Sequence, residues 1–316
     1  MTSSSSTPAP PALPHDPRWP RAAAWLLRED PGGAVDLAVL GVPTWRTSLS
    51  PTGAGTTPAA VRAALARYST YAHEHGVDVA SLVAVDLGDV EEPDGPEGER
   101  RTAAAARSGA ARSRLLVALG GDNSATVGAA LGAWGDDVGC AGLVTLDAHH
   151  DLRDGISNGS PVRRLVEDLG LDGRRVVQVG LLDFANSADY AARARDLGIT
   201  VIGRGVLHRR PLDEVMAEAL AVAGAAGGPV HVDLDVDVCD RSVAPGCPAS
   251  APGGISAHEL RRAAFLAGRD PRVRSIDITE VDATADAPDG RTVRLAALCV
   301  LEAAAGPATR SRMLRT

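Results

Sequence analysis

The chain has 316 residues, of which 45% are hydrophobic and 23% are charged, as is ordinary for a globular protein. Its formal net charge of -8 argues against nucleic acid or an anionic membrane as the main partner. All 32 basic residues are arginine, which excludes any mechanism that needs a Schiff-base lysine or a P-loop lysine.

The first 17 residues are rich in serine, proline and alanine, and they lack the basic start and apolar stretch of a signal peptide. We therefore predict a disordered tail over residues 1–17, a single domain over residues 18–316 and a cytoplasmic location. No apolar run is predicted to be long enough to span a bilayer. The four cysteines are scattered without a CxxC pair, which favours buried free thiols over disulfides or a zinc site.

From residue 35 onward, short apolar runs alternate with longer alanine-rich stretches. Thr57 and Pro58 open a predicted helix over residues 57–71, and Ser256 with Glu259 forms a capping box at the start of another helix. The polar stretch 91–101 is predicted to be a loop. This alternation predicts an α/β fold with a mostly parallel sheet and helices on both faces. The predicted strands cover residues 35–40, 115–119, 139–146, 176–180, 230–234 and 275–279.

A histidine and two aspartates follow the predicted strand 139–146 in the segment Asp-Ala-His-His-Asp. Side chains alternate along a strand, so Asp147, His149 and Asp151 are expected to leave it on the same side. In open α/β sheets, ligands bind beyond the carboxyl ends of the strands. The segment therefore predicts half of a metal site. The alternative is an acidic strand end with an incidental histidine.

A second acidic segment overlaps the end of the predicted strand 230–234 and continues beyond it; it holds four aspartates interleaved with apolar residues, Asp233, Asp235, Asp237 and Asp240. On a central strand these carboxylates would be buried, and buried charges at this density must be paired or bound to metal. The alternative is an exposed edge strand. A rigid Ala-Pro-Gly turn at 244–246 would fix the end of this segment. A third segment, Gly-Gly-Asp-Asn-Ser at 120–124, is unspecific by itself.

Together these segments resemble the ureohydrolase superfamily of arginase, agmatinase and formimidoylglutamase. Its signature is GGDHS, then DAHxD, then DxDxxD with an APG turn, then a glutamate after the last core strand. The matches come in that order at 120–124, 147–151, 235–240, 244–246 and Glu280, and the resemblance runs from about residue 35 to the C-terminus. It implies a three-layer α/β/α sandwich, two Mn²⁺ ions bridged by water or hydroxide, and a homo-oligomer, either a trimer or a hexamer.

The resemblance also implies a set of metal ligands. Oxygen-rich ligation with one imidazole suits Mn²⁺ better than zinc. Asp240 is expected to brace its loop without binding metal. The implied ligands are His149 and Asp237 for one ion, Asp151 and Asn123 for the other, and Asp147 and Asp235 for both.

Position 123 departs from the pattern, because arginase and agmatinase have histidine there. An asparagine carbonyl oxygen can coordinate a hard cation, but it is a neutral and weaker donor than imidazole. Two outcomes stay open: the second ion is bound weakly, or the site works with one ion.

Short sequence motifs around the acidic segments resemble those of the formimidoylglutamase branch. They are SNGSPVR at 157–163, FANS at 184–187, APGCP at 244–248 and the arginine of DAHHDLR. That arginine, Arg153, is expected near the metals, where a cation is repelled unless an anion compensates it. A substrate carboxylate would supply this anion through a bidentate pair. The alternative is that Arg153 pairs with Asp151 or Asp154.

Other residues near the acidic segments have more general expected roles. Asn158 and Ser157 are expected to orient the other end of the substrate, and Ser48 and Ser50 are weaker candidates for the pocket wall. His150 is expected to point to the opposite face and to be structural. Arg163 and Arg164 are expected to be surface charges of the next helix.

The reaction implied by this branch is hydrolysis of N-formimidoyl-L-glutamate to L-glutamate and formamide, a step of histidine degradation. Asp151 would move a proton from the attacking water to the leaving nitrogen, and Glu280 would hydrogen-bond the formimidinium group. An agmatinase or a guanidino-acid ureohydrolase releasing urea is the alternative. A non-catalytic relative is a third possibility, favoured by Asn123 and Asn158. The unmodified ligand positions argue against it, because unused buried carboxylates destabilise a fold.

Overall fold

The computed structural model describes residues 16–26 and 29–313, so most of the predicted tail lies outside the described residues. Eight strands form one sheet, and a short antiparallel hairpin, β2 (Tyr71–Ala72) and β3 (Val77–Asp78), lies apart from it. The strands of the large sheet are β1 (Val35–Val42), β4 (Ala84–Asp89), β5 (Ser113–Gly120), β6 (Gly142–Leu146), β7 (Val176–Leu181), β8 (Thr200–Gly203), β9 (Val230–Asp235) and β10 (Val273–Thr279).

The strand order in the large sheet is β4-β1-β5-β10-β9-β6-β7-β8, and every neighbouring pair is parallel. Strand β9 is therefore central, which rules out the alternative that its carboxylates lie on an exposed edge strand. The four strands β5, β10, β9 and β6 are consecutive neighbours. Because their carboxyl ends lie at one edge of the sheet, the segments that follow them meet there.

Helices cover both faces of the sheet, which confirms the predicted α/β/α sandwich. One face packs against α2, α8, α9 and α10, and the other packs against α3, α4 and α6. The helices are α1 (Ala22–Leu26), α2 (Thr57–Ala64), α3 (Gly95–Arg112), α4 (Ala125–Trp134), α5 (Pro161–Arg163), α6 (Ala188–Asp196), α7 (Arg204–Leu207), α8 (Leu212–Ala223), α9 (Ala257–Arg269) and α10 (Arg291–Met313).

Two predicted elements differ from the structure. The predicted loop 91–101 is wrong from residue 95, because α3 begins at Gly95 with a proline in its first turn. Charged residues on the exposed side of its first turns gave this segment the composition of a loop. The predicted helix 57–71 ends early: α2 stops at Ala64, a 3₁₀ turn follows, and the chain is extended at Tyr68. The aromatic and hydroxyl residues at 68–71 are weaker helix formers than the alanines before them.

Helix α10 corrects the expectation that no segment is long and apolar enough to span a bilayer. By length and hydropathy it passes that test, but 72% of its most apolar window is buried inside the protein, mainly against α9. Gly306 and Gly268 lie in contact where the two helices approach, and a side chain on either would collide with the other backbone. Helix α10 is therefore apolar because it packs in the protein core.

Candidate active site

Acidic residues from two neighbouring strands meet at the carboxyl edge of the sheet. Asp147 directly follows β6, Asp235 ends β9, and Asp237 lies in a 3₁₀ turn that starts one residue later. With His149 and Asp151 they form two groups that share Asp147, and the ligand atoms within each group lie within 4.8 Å of one another. One group is Asp147, His149 and Asp237; the other is Asp147, Asp151 and Asp235.

The segment after β6 reaches this arrangement by a different path from the one expected. The strand ends at Leu146, so strand alternation does not set the directions of His149 and Asp151. Asp151 instead has a φ of 51°, in the left-handed region that non-glycine residues rarely occupy. The side chain of Asn186 holds the segment by accepting from the His150 N–H at 2.8 Å and donating to the Ala148 carbonyl at 2.9 Å. A strained backbone such as that of Asp151 is typical of functional sites.

His149 and Asp237 form the closest charged contact of the cluster. His149 Nδ1 lies 2.7 Å from Asp237 Oδ2, and Asp237 Oδ1 accepts from the Ala148 N–H at 3.0 Å. Burial lowers the pKa of His149, but hydrogen bonds to Asp147 and Asp237 outweigh it and raise the pKa to about 12. Burial raises the pKa of Asp237, and the bond from His149 reverses this, so that it lies below its usual value.

The remaining carboxylates of the cluster are poorly compensated by the protein alone. Burial and the neighbouring carboxylates raise the pKa values of Asp147 and Asp235 well above the usual range. Burial raises the pKa of Asp151 to about 7. Asp147 Oδ2 is buried and has no hydrogen-bond partner within the described part of the chain. A cation in contact with these oxygens would remove this cost, and several oxygen donors with one imidazole suit Mn²⁺. The residues therefore fit a metal site.

Glu280 stands directly after β10 with a φ of 63° and is buried. Its Oε1 accepts from the Asn123 N–H at 2.7 Å and from Asn158 Nδ2 at 2.8 Å. Burial raises the pKa of Glu280 to about 8, against the opposing effect of the Asn158 hydrogen bond. The glutamate is thus oriented by two residues that the sequence singled out separately.

Asn123 joins the cluster through its amide nitrogen. Nδ2 donates to Asp151 Oδ2 at 2.7 Å, while Oδ1 accepts from the hydroxyls of Thr126 at 2.7 Å and Thr279 at 3.0 Å. In this orientation the carbonyl oxygen, the atom expected to bind metal, is directed to the two threonines. Neither threonine was identified from the sequence, although Thr279 directly precedes Glu280.

A cavity of about 380 Å³ opens above the cluster. It brings together most of the residues predicted for the site, and Tyr190 is an additional wall residue that the sequence did not indicate. Ser50 lines the cavity, whereas Ser48 is not part of its wall. The residues predicted for the site that line it are His149, Asp151, Arg153, Asn158, Asp235, Asp237 and Glu280. His150, which was not predicted for the site, lines it as well.

Ser157 is not among the residues that line the cavity. Its backbone N–H donates to Ser160 Oγ at 2.9 Å, and its own hydroxyl accepts from the Gly159 N–H at 3.3 Å. These bonds close a tight turn around Asn158. Ser157 therefore shapes the turn that presents Asn158, and the expectation that it orients the substrate stays a prediction.

Arg153 lines the cavity, and within the described ranges its side chain has no hydrogen bond or ion pair. Burial raises the pKa of Asp151, and the positive charge of Arg153 is among the groups that act against this, so the two residues interact without direct contact. Asp154, one of the two expected alternative partners of Arg153, instead pairs with Arg193 at 2.8 Å. The backbone of Arg153 is held, because its N–H donates to the Gly159 carbonyl at 3.0 Å and its carbonyl accepts from Arg163 at 2.9 Å. A fixed backbone thus carries a cation without a direct salt-bridge partner at the edge of an acidic site.

Arg163 and Arg164 are not surface charges, contrary to expectation. Arg163 is buried and bonds Asp168 and two carbonyls of the 153–155 loop, while Arg164 forms two bonds to Glu99, at 2.6 and 2.9 Å. They anchor the loop that carries Arg153. Sequence alone could not show this, because their partners lie on α3 and in the 153–168 segment.

The structure bears on two other expectations about supporting residues. His150 is expected to be structural and to point to the opposite face; its contacts are structural, but it lines the same cavity as His149. His150 is buried, with Nδ1 2.6 Å from Gln178 Oε1, and Gln178 donates back to its carbonyl at 2.7 Å. Asp240 accepts from the backbone N–H groups of Ser242 at 2.8 Å and Gly253 at 2.7 Å, so it braces its loop.

A parallel α/β/α sandwich with a buried carboxylate–imidazole cluster under an open cavity defines a candidate metal-dependent hydrolase. Residues 35–306 match the model of the arginase family, and the chain belongs to that family.

Within the arginase family, the chain is similar to formimidoylglutamases in both sequence and structure. The chain is 34% identical over 293 residues to a formimidoylglutamase of Halalkalibacterium halodurans, covering 89% of this chain and 90% of the relative. The crystal structure of formimidoylglutamase from Bacillus subtilis superposes with a TM-score of 0.87 at 30% identity, covering 95% of both chains. A Trypanosoma cruzi formiminoglutamase, whose crystal structure is described with Mn²⁺, superposes with a TM-score of 0.83 at 25% identity, covering 92% of this chain and 99% of that one.

Proposed function

We propose that this protein hydrolyses N-formimidoyl-L-glutamate to L-glutamate and formamide. Similarity to formimidoylglutamases over about nine tenths of the chain supports this substrate. The observation that carries it is Arg153, which lines an otherwise acidic cavity and has no direct salt-bridge partner among the described residues. An anionic substrate supplies its counter-charge, whereas the dication agmatine would be repelled by it.

Two Mn²⁺ ions fit the two ligand groups. Asp147, His149 and Asp237 would hold one ion, and Asp147, Asp151 and Asp235 would hold the other, with Asn123 beside it. The family resemblance implies that Asp235 also contacts the first ion. Bound Mn²⁺ supplies a Lewis acid that lowers the pKa of water and so provides a nucleophile near neutral pH.

Glu280 binds the reacting end of the substrate. Its Oε1 is occupied by Asn123 and Asn158, and within the described residues no hydrogen bond reaches Oε2. Oε2 is therefore the atom that accepts an N–H of the formimidinium group. A cationic substrate at this position favours the ionised carboxylate. The two fixed bonds to Oε1 hold the glutamate and so orient the carbon that is attacked.

Asp151 moves the proton. A buried carboxylate beside the attacking water takes its proton and then delivers it to the nitrogen that leaves as the amino group of glutamate. Without metal, Asn123 Nδ2 donates to Asp151 Oδ2 and holds this carboxylate within the cluster. Arg153, two residues further along, binds a carboxylate of the glutamate part and places the amidine over the cluster.

A substrate panel tests the proposal. The purified protein is loaded with Mn²⁺ and offered formimidoylglutamate, 4-guanidinobutyrate and agmatine, with glutamate, formamide and urea measured as products. We expect the highest kcat/KM for formimidoylglutamate. A higher kcat/KM for agmatine, with urea as product, would replace this proposal with an agmatinase.

A further inference from the structure

The side-chain amide of Asn123 is held at both ends inside the protein. It is 1% exposed, and its oxygen receives the hydroxyl hydrogens of Thr126 and Thr279, which are also buried. Its nitrogen donates to Asp151 Oδ2. An ionised carboxylate accepts hydrogen bonds only, so the nitrogen faces ionised Asp151 when no cation lies between them.

The threonines leave a second arrangement open, because a hydroxyl both donates and accepts. If the amide turned over, its two N–H groups would meet the oxygens of Thr126 and Thr279, and its carbonyl oxygen would face Asp151. Thr279 would then need another acceptor for its own hydrogen. Asp233 Oδ1 lies 3.4 Å from Thr279 Oγ1, and Asp233 is buried beside it. The turned amide would therefore keep its polar groups paired.

We propose that Thr279 is a positioning residue that lets the Asn123 amide turn over when a cation binds on the Asp151 side, so that the carbonyl oxygen joins the ligands. Without the cation, Thr279 donates to Asn123 Oδ1. With the cation, it accepts from Asn123 Nδ2 and donates to Asp233. This inference rests on the proposed Mn²⁺ site and concerns how a chain with asparagine at position 123 completes it.

The test is a Mn²⁺ titration by calorimetry of the full-length protein and matched threonine variants. Thr279→Val keeps the shape of the side chain and removes its hydroxyl, whereas Thr279→Ser keeps the hydroxyl. Thr145→Val is the control, because Thr145 is an equally buried threonine on β6, two strands away from β10, and its hydroxyl has no hydrogen-bond partner in the described structure. Thr126→Val is a second variant on the same amide.

We expect the wild type to bind two Mn²⁺ ions. In Thr279→Val the weaker ion should bind about tenfold less tightly, the effect of one lost hydrogen bond in a buried site. The tighter ion should keep its affinity within about twofold. Thr279→Ser and Thr145→Val should both resemble the wild type. Thr126→Val should weaken the same ion, which provides the test if Thr279→Val does not fold.

Three results would overturn the inference: unchanged affinity in Thr279→Val, equal loss in Thr279→Ser, or a wild type that takes up a single ion. The last result leaves hydrolysis with one ion intact. A wild type that binds no Mn²⁺ would instead contradict the proposed function itself, so the two failures are distinguishable.

Discussion

Asn158 donates its side-chain amide to Oε1 of Glu280 at 2.8 Å, although the two residues are 122 positions apart in the sequence. Asn158 is itself fixed, because its Oδ1 accepts from the Leu49 N–H at 3.0 Å. The pair joins the loop after β6 to the end of β10. It supports the glutamate that we assign to the formimidinium group.

We predict that Asn158→Ala lowers kcat/KM for formimidoylglutamate by about tenfold or more, because a hydrogen bond to a charged group is lost. Asn158→Asp should lower it further, since a second carboxylate would then face Glu280. Steady-state kinetics and Mn²⁺ content check both variants. Metal content should not change, and full activity in Asn158→Asp would show that Glu280 does not need this partner.

Arg153→Ala should lower kcat/KM for formimidoylglutamate by at least about tenfold. Removing one partner of a secluded charge pair costs roughly thirty- to several-thousand-fold, and the exposure of Arg153 reduces this effect. Arg174→Ala is the matched control, because Arg174 is a mostly exposed arginine paired with Asp172. The comparison is kinetics and Mn²⁺ content of both variants. If Arg153→Ala keeps wild-type activity on the acid, the carboxylate site lies elsewhere.

Asn123→His should be tolerated and should tighten the weaker Mn²⁺ ion, since imidazole is a better donor than an amide oxygen. The backbone N–H at position 123 still reaches Glu280 Oε1, so the support of the glutamate is kept. Titration of Mn²⁺ into both forms measures the change. Equal or weaker affinity in the histidine variant would show that residue 123 does not ligate metal.

The stability of the chelated protein should fall as pH rises from about 6 to 8.5. The pKa values of Asp151, about 7, and Glu280, about 8, lie above their unfolded values, and so does that of His149, about 12. The folded chain therefore binds more protons than the unfolded chain in this range, which makes folding less favourable as pH rises. Melting curves with chelator and with Mn²⁺ check this. Mn²⁺ should raise Tm by mass action, most at high pH. A chelated protein that becomes more stable with rising pH would contradict this account.

The metal cluster could be predicted because its residues directly follow buried strands, and parallel strands bring their carboxyl ends together. The reasoning from alternation along the strand was nevertheless wrong, since β6 ends at Leu146 and a left-handed Asp151 completes the approach. Local sequence does not reveal such a conformation.

The supporting contacts could not be predicted, because they depend on which strands are neighbours. Strand β10 lies between β5 and β9, and this places Thr279 between Asn123 and Asp233. The same limit applies to Arg164, whose partner is on α3. The cytoplasmic location, the single domain over 18–316 and the trimer or hexamer stay predictions.

The most direct test of the central claim is a ¹³C NMR assay with formimidoylglutamate labelled at the formimidoyl carbon. We predict that the label appears in formamide when the Mn²⁺-loaded protein is added, and that prior chelation abolishes this signal until Mn²⁺ is restored. A label that stays in the substrate with the Mn²⁺-loaded protein, or formamide formed at the same rate after exhaustive chelation, would contradict the assignment of this chain as a metal-dependent formimidoylglutamate hydrolase.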